Sequence, residues 1–166
     1  VRPQWLGEPQ PVATTGRRLL LAIDVSGSMA ARDMAGRASR LQVVKDLAGE
    51  FIQRRHGDQV GLILFGTRPY LQAPWSTDLD TVNQFLQEAT IGMAGPATAL
   101  GDAIGLALKL LRNDREADAA RQQVGASGET ALVLLTDGSS NAGEMPPVPA
   151  ARLAAASRLR VYTIGV

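Results

Sequence analysis

Leu19-Leu20-Leu21-Ala22-Ile23-Asp24-Val25-Ser26-Gly27-Ser28 is the stretch that decides how this chain folds. Its five leading apolar residues have the length of a buried strand. An acid and two hydroxyls then follow at alternate positions, in a loop loosened by Gly27. All three side chains offer hard oxygen donors, which suit Mg²⁺, Mn²⁺ or Ca²⁺. Two distant segments offer the same chemistry. Thr98 stands in Gly95-Pro96-Ala97-Thr98, ahead of a helical pattern, and Asp137 stands in Thr136-Asp137-Gly138, behind the apolar run Ala131 to Leu135.

Each residue also has a plainer reading. Asp24 at a strand end and Asp137 before Gly138 both suit turns. Ser26 and Ser28 are turn formers or cap backbone amides, and Thr98 is a good N-cap for the helix after it. Singly, these readings compete well. Jointly, five oxygen donors at the ends of strands and the start of a helix favour a metal site.

The 166 residues fit one domain, long enough to bury about two-thirds of its unfolded surface without staples. With no Cys there is neither a disulfide nor a thiolate metal site. A net charge of +1 gives no electrostatic case for nucleic acid or an anionic membrane, and 4% aromatic residues argue against base stacking. No apolar run approaches the roughly 20 residues needed to span a bilayer. The chain begins without Met and without a signal-peptide pattern, so an excised fragment is expected.

Residues 1–15 are Pro-rich and aperiodic, which predicts a lead segment, with Trp5 packing on the domain formed by 16–166. Strands are predicted at Arg18 to Asp24, Gln59 to Phe65, Tyr70 to Ala73, Ala131 to Leu135 and Arg160 to Val166. Helices are predicted at Ser39 to Arg55, from a Ser76-Thr77-Asp78 cap to Glu88, at Thr98 to Leu111 and at Ala150 to Leu159. Ser26 to Ala38 reads as a long polar loop, with Arg32 and Asp33 solvated by default. Asn113 to Glu129 reads as a surface excursion, partly helical. The short link Gly66-Thr67-Arg68-Pro69 permits only antiparallel pairing of its flanking strands. Alternating strands and helices predict an α/β fold, a doubly wound and mostly parallel sheet with helices on both faces and one antiparallel edge strand. Ligands of such sheets bind at the carboxyl ends of strands where the strand order switches, and this sets Asp24 beside Asp137.

The ordered set Asp24, Ser26, Ser28, Thr98 and Asp137 resembles the metal-ion-dependent adhesion site of von Willebrand factor type A domains, over roughly Gly16 to Val166. The resemblance implies a Rossmann-like fold with one more helix and strand beyond Val166. It implies Ser26, Ser28 and at times Thr98 as direct ligands, with Asp24 and Asp137 binding directly or through water. It also implies one coordination position for a Glu or Asp of a protein partner. Further stretches are similar to the bacterial aerotolerance-type (Bat) membrane-anchored proteins: Arg2-Pro3-Gln4-Trp5, Asp24 to Met29, Arg40-Leu41 with Lys45, Gly57 to Leu62, Phe65-Gly66, Thr98 to Ile104, Leu134 to Asn141 and Tyr162 to Val166. That likeness implies a parent anchored in the inner membrane with this domain on the periplasmic side, Arg2 to Trp5 as juxtamembrane lead, a functional link to a MoxR-type ATPase, and a role in envelope stress or assembly.

The function expected is divalent-metal-dependent protein–protein interaction, with Mg²⁺ favoured and Mn²⁺ or Ca²⁺ as alternatives, and no enzymatic activity. The alternative is a metal-bearing scaffold whose partner docks away from the ion, on Asn113 to Glu129. A Ser-His-Asp hydrolase is disfavoured, because the sole histidine, His56, falls at the other end of the sheet from Asp24. A phosphatase would want an acid where Ser26 stands, and no Walker loop with its Lys is present. Asp102, one turn after Thr98, is read as favouring its helix N-terminus electrostatically ahead of an outer contact to the site.

Overall fold

The computed structural model describes residues 16–120, 128–138 and 140–166. The expected lead segment, with Trp5 and the Arg2 to Trp5 stretch, lies outside them, as does the middle of the Asn113 to Glu129 excursion.

Five strands form one sheet in the order β3-β2-β1-β4-β5. They are β1 (Arg18–Asp24), β2 (Gln59–Phe65), β3 (Tyr70–Ser76), β4 (Thr130–Thr136) and β5 (Arg160–Gly165). All neighbours run parallel except β2 and β3, which pair antiparallel as the short link requires. β1 lies at the centre, with Asp24 level with Phe65 and Ile23 level with Leu135.

Side chains of a strand alternate between faces, so a strand covered on both sides must be apolar throughout. In β1, Leu19, Leu21 and Ile23 enter one core, beneath α1 (Arg40–Gln53) and α2 (Leu79–Glu88). Leu20 and Ala22 enter the other, beneath α3 (Leu100–Ala120) and α4 (Pro147–Ala156). Full burial of one such Leu contributes about 2 kcal/mol. β5 is an edge strand, with Tyr162 and Ile164 exposed.

The expected polar loop after Ser26 is more structured than its composition suggests. Gly27–Ala30 makes a 3₁₀ turn that sinks Met29 fully into the core under the loop, and Ala35–Arg37 makes a second. Ser39 caps α1 by accepting the Gln42 amide, and Asp78 caps α2 by accepting that of Thr81. α3 starts later than expected. The Ala99 carbonyl takes its first helical bond from the Ala103 amide, so Thr98 stands outside the helix and is not its N-cap. α3 also runs on to Ala120, because Arg18 pairs with both Asp114 and Asp118. α4 begins at Pro147, three residues early, since Pro at the first helical position loses no hydrogen bond. β3 extends to Ser76, three residues beyond its expected end.

Candidate metal centre

β1 delivers Asp24 to the carboxyl end of the sheet, where the strand order switches between β1 and β4. Its carboxylate is fully buried. Oδ1 accepts the Ser26 amide at 2.9 Å and Oδ2 accepts the Thr136 hydroxyl at 2.6 Å. Both donors are neutral. Among the described residues no Lys, Arg or His forms an ion pair with Asp24. A buried carboxylate without a countercharge is costly.

Ser26, 1% exposed, and Ser28 follow, with their hydroxyl oxygens 3.1 Å apart. Ser28 donates its only hydroxyl proton to Asp137 Oδ1 at 2.9 Å. The proton between the two serines is therefore that of Ser26, and the Ser26 oxygen keeps its lone pairs for a further partner. Asp137, its side chain only 3% exposed, accepts Arg40 Nη1 on its other oxygen at 2.7 Å. Arg40 also forks onto Asp33, with Nε donating to Oδ1 at 2.9 Å and Nη2 to Oδ2. The guanidinium holds the Asp33 carboxyl below its ordinary range, and the two carboxylates, Asp33 first, push Arg40 further up. The rim residue expected to be solvated is thus an anchor for Arg40.

The third loop is strapped to the first. The Gly27 amide donates to the Pro96 carbonyl and the Gly92 amide to that of Val25. Gly95 takes φ +92°, and a Cβ there would run into Thr67, so the strap requires glycine. Thr98, 4% exposed, is fixed through its backbone to the loop after β4. Its amide donates to Asn141 Oδ1 at 2.8 Å, and its carbonyl accepts the amides of Asn141 and Ala142 and the Ser140 hydroxyl. Asp102 accepts the Glu144 and Met145 amides, binding the start of α3 to that same loop.

Asp24, Ser26, Ser28 and Asp137 are thus joined directly or through one hydrogen-bonded chain, and Thr98 belongs to the loop that braces the others. Sequence reasoning missed Thr136, which holds Asp24, Arg40, which holds Asp137, and the pair Ser140 and Asn141, which fix Thr98. Thr136 was open to detection: it precedes Asp137 at the end of a strand beside β1. His56 lies just before β2, roughly 20 Å along the strand direction from the Asp24 end, and takes no part.

The donor set is hard. No group of three or more His, Cys, Asp or Glu able to hold a metal occurs among the described residues, and the site rests on two carboxylates with hydroxyls. That fits a divalent ion preferring oxygen.

A family model described as von Willebrand factor type A domain matches residues 19–139, more than half of the chain. The chain belongs to the von Willebrand factor type A family. An aerotolerance-related membrane protein from Bacteroides fragilis has a solved structure that is 28% identical, with a TM-score of 0.76, covering 91% of this chain and 68% of that one. The conserved hypothetical protein BatB from Bacteroides thetaiotaomicron is 29% identical, with a TM-score of 0.72, covering 90% and 66%. Proximal thread matrix protein 1 from the mussel byssus, whose metal-ion-dependent adhesion motif is occupied by zinc, shares the fold at 23% identity and a TM-score of 0.67, covering 90% and 38%. An uncharacterized protein of Borreliella burgdorferi is 29% identical over 153 residues, and the chain spans 41% of its length. Among the described residues no helix is long and apolar enough to cross a membrane.

Proposed function

We propose that this domain is a divalent-metal-dependent protein-interaction module and that Asp24, Ser26, Ser28, Thr98 and Asp137 hold the ion. The observation that carries this reading is Asp24, a fully buried carboxylate whose partners are a backbone amide and a hydroxyl, with no cation paired to it among the described residues. A bound divalent ion supplies Lewis acidity and a position that a carboxylate can take. The hydroxyls of Ser26, Ser28 and Thr98 are neutral and cancel none of the ion's charge themselves, so it stays attractive to an acidic residue. A Glu or Asp of a partner protein is the ligand this arrangement favours. Mg²⁺ is the ion proposed, with Mn²⁺ and Ca²⁺ as alternatives that fit the same oxygen donors.

The parent protein is proposed to be membrane-anchored, with this domain on the periplasmic side of a bacterial inner membrane. One solved relative, an aerotolerance-related membrane protein, supports the membrane anchor. A role in envelope stress or assembly and a link to a MoxR-type ATPase belong to the same proposal.

The test is calorimetric titration of Mg²⁺ and Mn²⁺ into the wild type and Asp24→Ala. The expected result is binding by the wild type that Asp24→Ala abolishes, with the far-ultraviolet spectrum unchanged. Equal binding by the two proteins would refute the assignment. A peptide with one Glu should then bind the metal-loaded domain and be released by EDTA, whereas its Gln counterpart should not bind.

A further inference from the structure

Arg40 is the component that a cation site does not call for. It is the first residue of α1, where the helix dipole disfavours positive charge, and the first turn of α1 carries no acid to offset it. Its position is explained instead by two carboxylates outside the helix. Nε and Nη2 donate to Asp33 and Nη1 to Asp137, so each of the three guanidinium nitrogens has an acceptor.

We infer that Arg40 is a resident counter-cation that keeps the divalent affinity of this site low until a partner's carboxylate arrives. The inference rests on the metal reading above and adds to it a control on occupancy. Asp137 has two oxygens and both are engaged, Oδ1 by Ser28 and Oδ2 by Arg40. Its charge is shared with the guanidinium before any ion draws on it. Asp24 is the only carboxylate of the pair without a cationic partner among the described residues. Asp24, Asp137 and Asp33 carry three negative charges and Arg40 one positive, so an incoming ion meets a net −2 in place of −3. A carboxylate brought by a partner restores the charge that Arg40 withholds. Ion and partner consequently bind with positive coupling, each raising the affinity for the other by the same factor. Arg40 is a positioning residue in this scheme. Asp33 shares the guanidinium with Asp137 and holds it beside the site.

The experiment is calorimetric titration of Mg²⁺ and Mn²⁺ into the wild type, Arg40→Gln and Arg40→Lys at low ionic strength. Thermal midpoints in EDTA establish that each variant is folded, and Arg40→Met, which keeps the aliphatic stem, is read in the same way as Arg40→Gln. Removing the charge should tighten divalent binding by at least about fivefold. Arg40→Lys, which keeps the charge without the fork, should stay within about twofold of the wild type. Arg40→Gln binding no tighter than the wild type, or more weakly, would overturn the inference, because Arg40 would then be neutral or helpful to the ion. Arg40→Lys as tight as Arg40→Gln would overturn it too, since charge would not be the cause. Absence of binding in every protein would overturn the metal reading itself and this inference with it. Wild-type binding without a gain in Arg40→Gln would overturn this inference alone.

Discussion

Both ends of the sheet bury acids, and the partners they give them differ. At the amino end, Asp118 is buried against Arg18 at 3.0 Å, and Asp114 pairs with the same guanidinium. Two acids and one base close on themselves and tie the far half of α3 to the first residue of β1. At the carboxyl end, Asp24 is buried more deeply and meets only an amide and a hydroxyl. Asp137 lies between these cases, half neutralised by Arg40. A buried acid with its own base stabilises the fold. A buried acid without one, held by an amide and a hydroxyl at a strand-order switch, is the feature on which the proposed cation site rests.

The largest expected effect breaks the carboxyl end. Asp24→Asn removes the unpaired charge and should weaken divalent binding by more than about a hundredfold, beyond what loss of an outer-contact residue causes. Its stability in EDTA should be no lower than that of the wild type, because a buried charge without a partner is gone. Chemical denaturation in EDTA checks this, and a large loss of stability would mean that Asp24 serves the fold. The matching substitution at the other end, Asp118→Ala, should cost about 2 kcal/mol of stability and leave ion affinity unchanged, since Arg18 keeps only Asp114. Equal behaviour of the two variants would remove the distinction between the ends.

Thr136→Val sharpens the comparison at smaller scale. It deprives Asp24 Oδ2 of its 2.6 Å donor and should cost about 1 kcal/mol in EDTA, while lowering ion affinity by about tenfold. Titration calorimetry and denaturation together separate the two effects. The smallest effect concerns Asp33. Arg40 holds its pKa below the ordinary 3.8, so the stability it contributes is present above that value and is lost as the pH falls through the lowered one. Carboxyl NMR titration should show the Asp33 midpoint below 3.8, rising toward it in Arg40→Gln.

Much of this architecture is legible in the order of residues alone. β1 and β2 are near-continuous apolar runs, so their bounds follow from burial on both faces. The Asp78 cap is a local signal acting over three residues, and it is observed. What eludes a sequence reading depends on partners distant along the chain. The polar stretch after Leu111 has no apolar stripe of its own, and it stays helical to Ala120 where Arg18, nearly a hundred residues earlier, reaches its acids. Met29 sits in a polar segment and is buried because the 3₁₀ turn folds it inward. Pro147 and Pro149 stand ahead of the helix predicted from Ala150, yet they fall in the first turn of α4, where proline is tolerated. The five candidate residues are legible as an ordered pattern. The links that set their chemistry, Thr136 on Asp24 and the Asp33–Arg40–Asp137 chain, join side chains from separate elements and follow only from the fold.

Thermal unfolding of wild type and Asp24→Asn in EDTA, and then in millimolar Mg²⁺, Mn²⁺, Ca²⁺ and Zn²⁺, is the most direct test. An ion that binds only the native state should stabilise the wild type by roughly 2.7 kcal/mol at a hundredfold excess over its Kd. The expected result is a rise in midpoint with at least one ion in the wild type and none in Asp24→Asn. An unmoved wild-type midpoint with every ion, or the same rise in both proteins, would contradict a cation site built on Asp24.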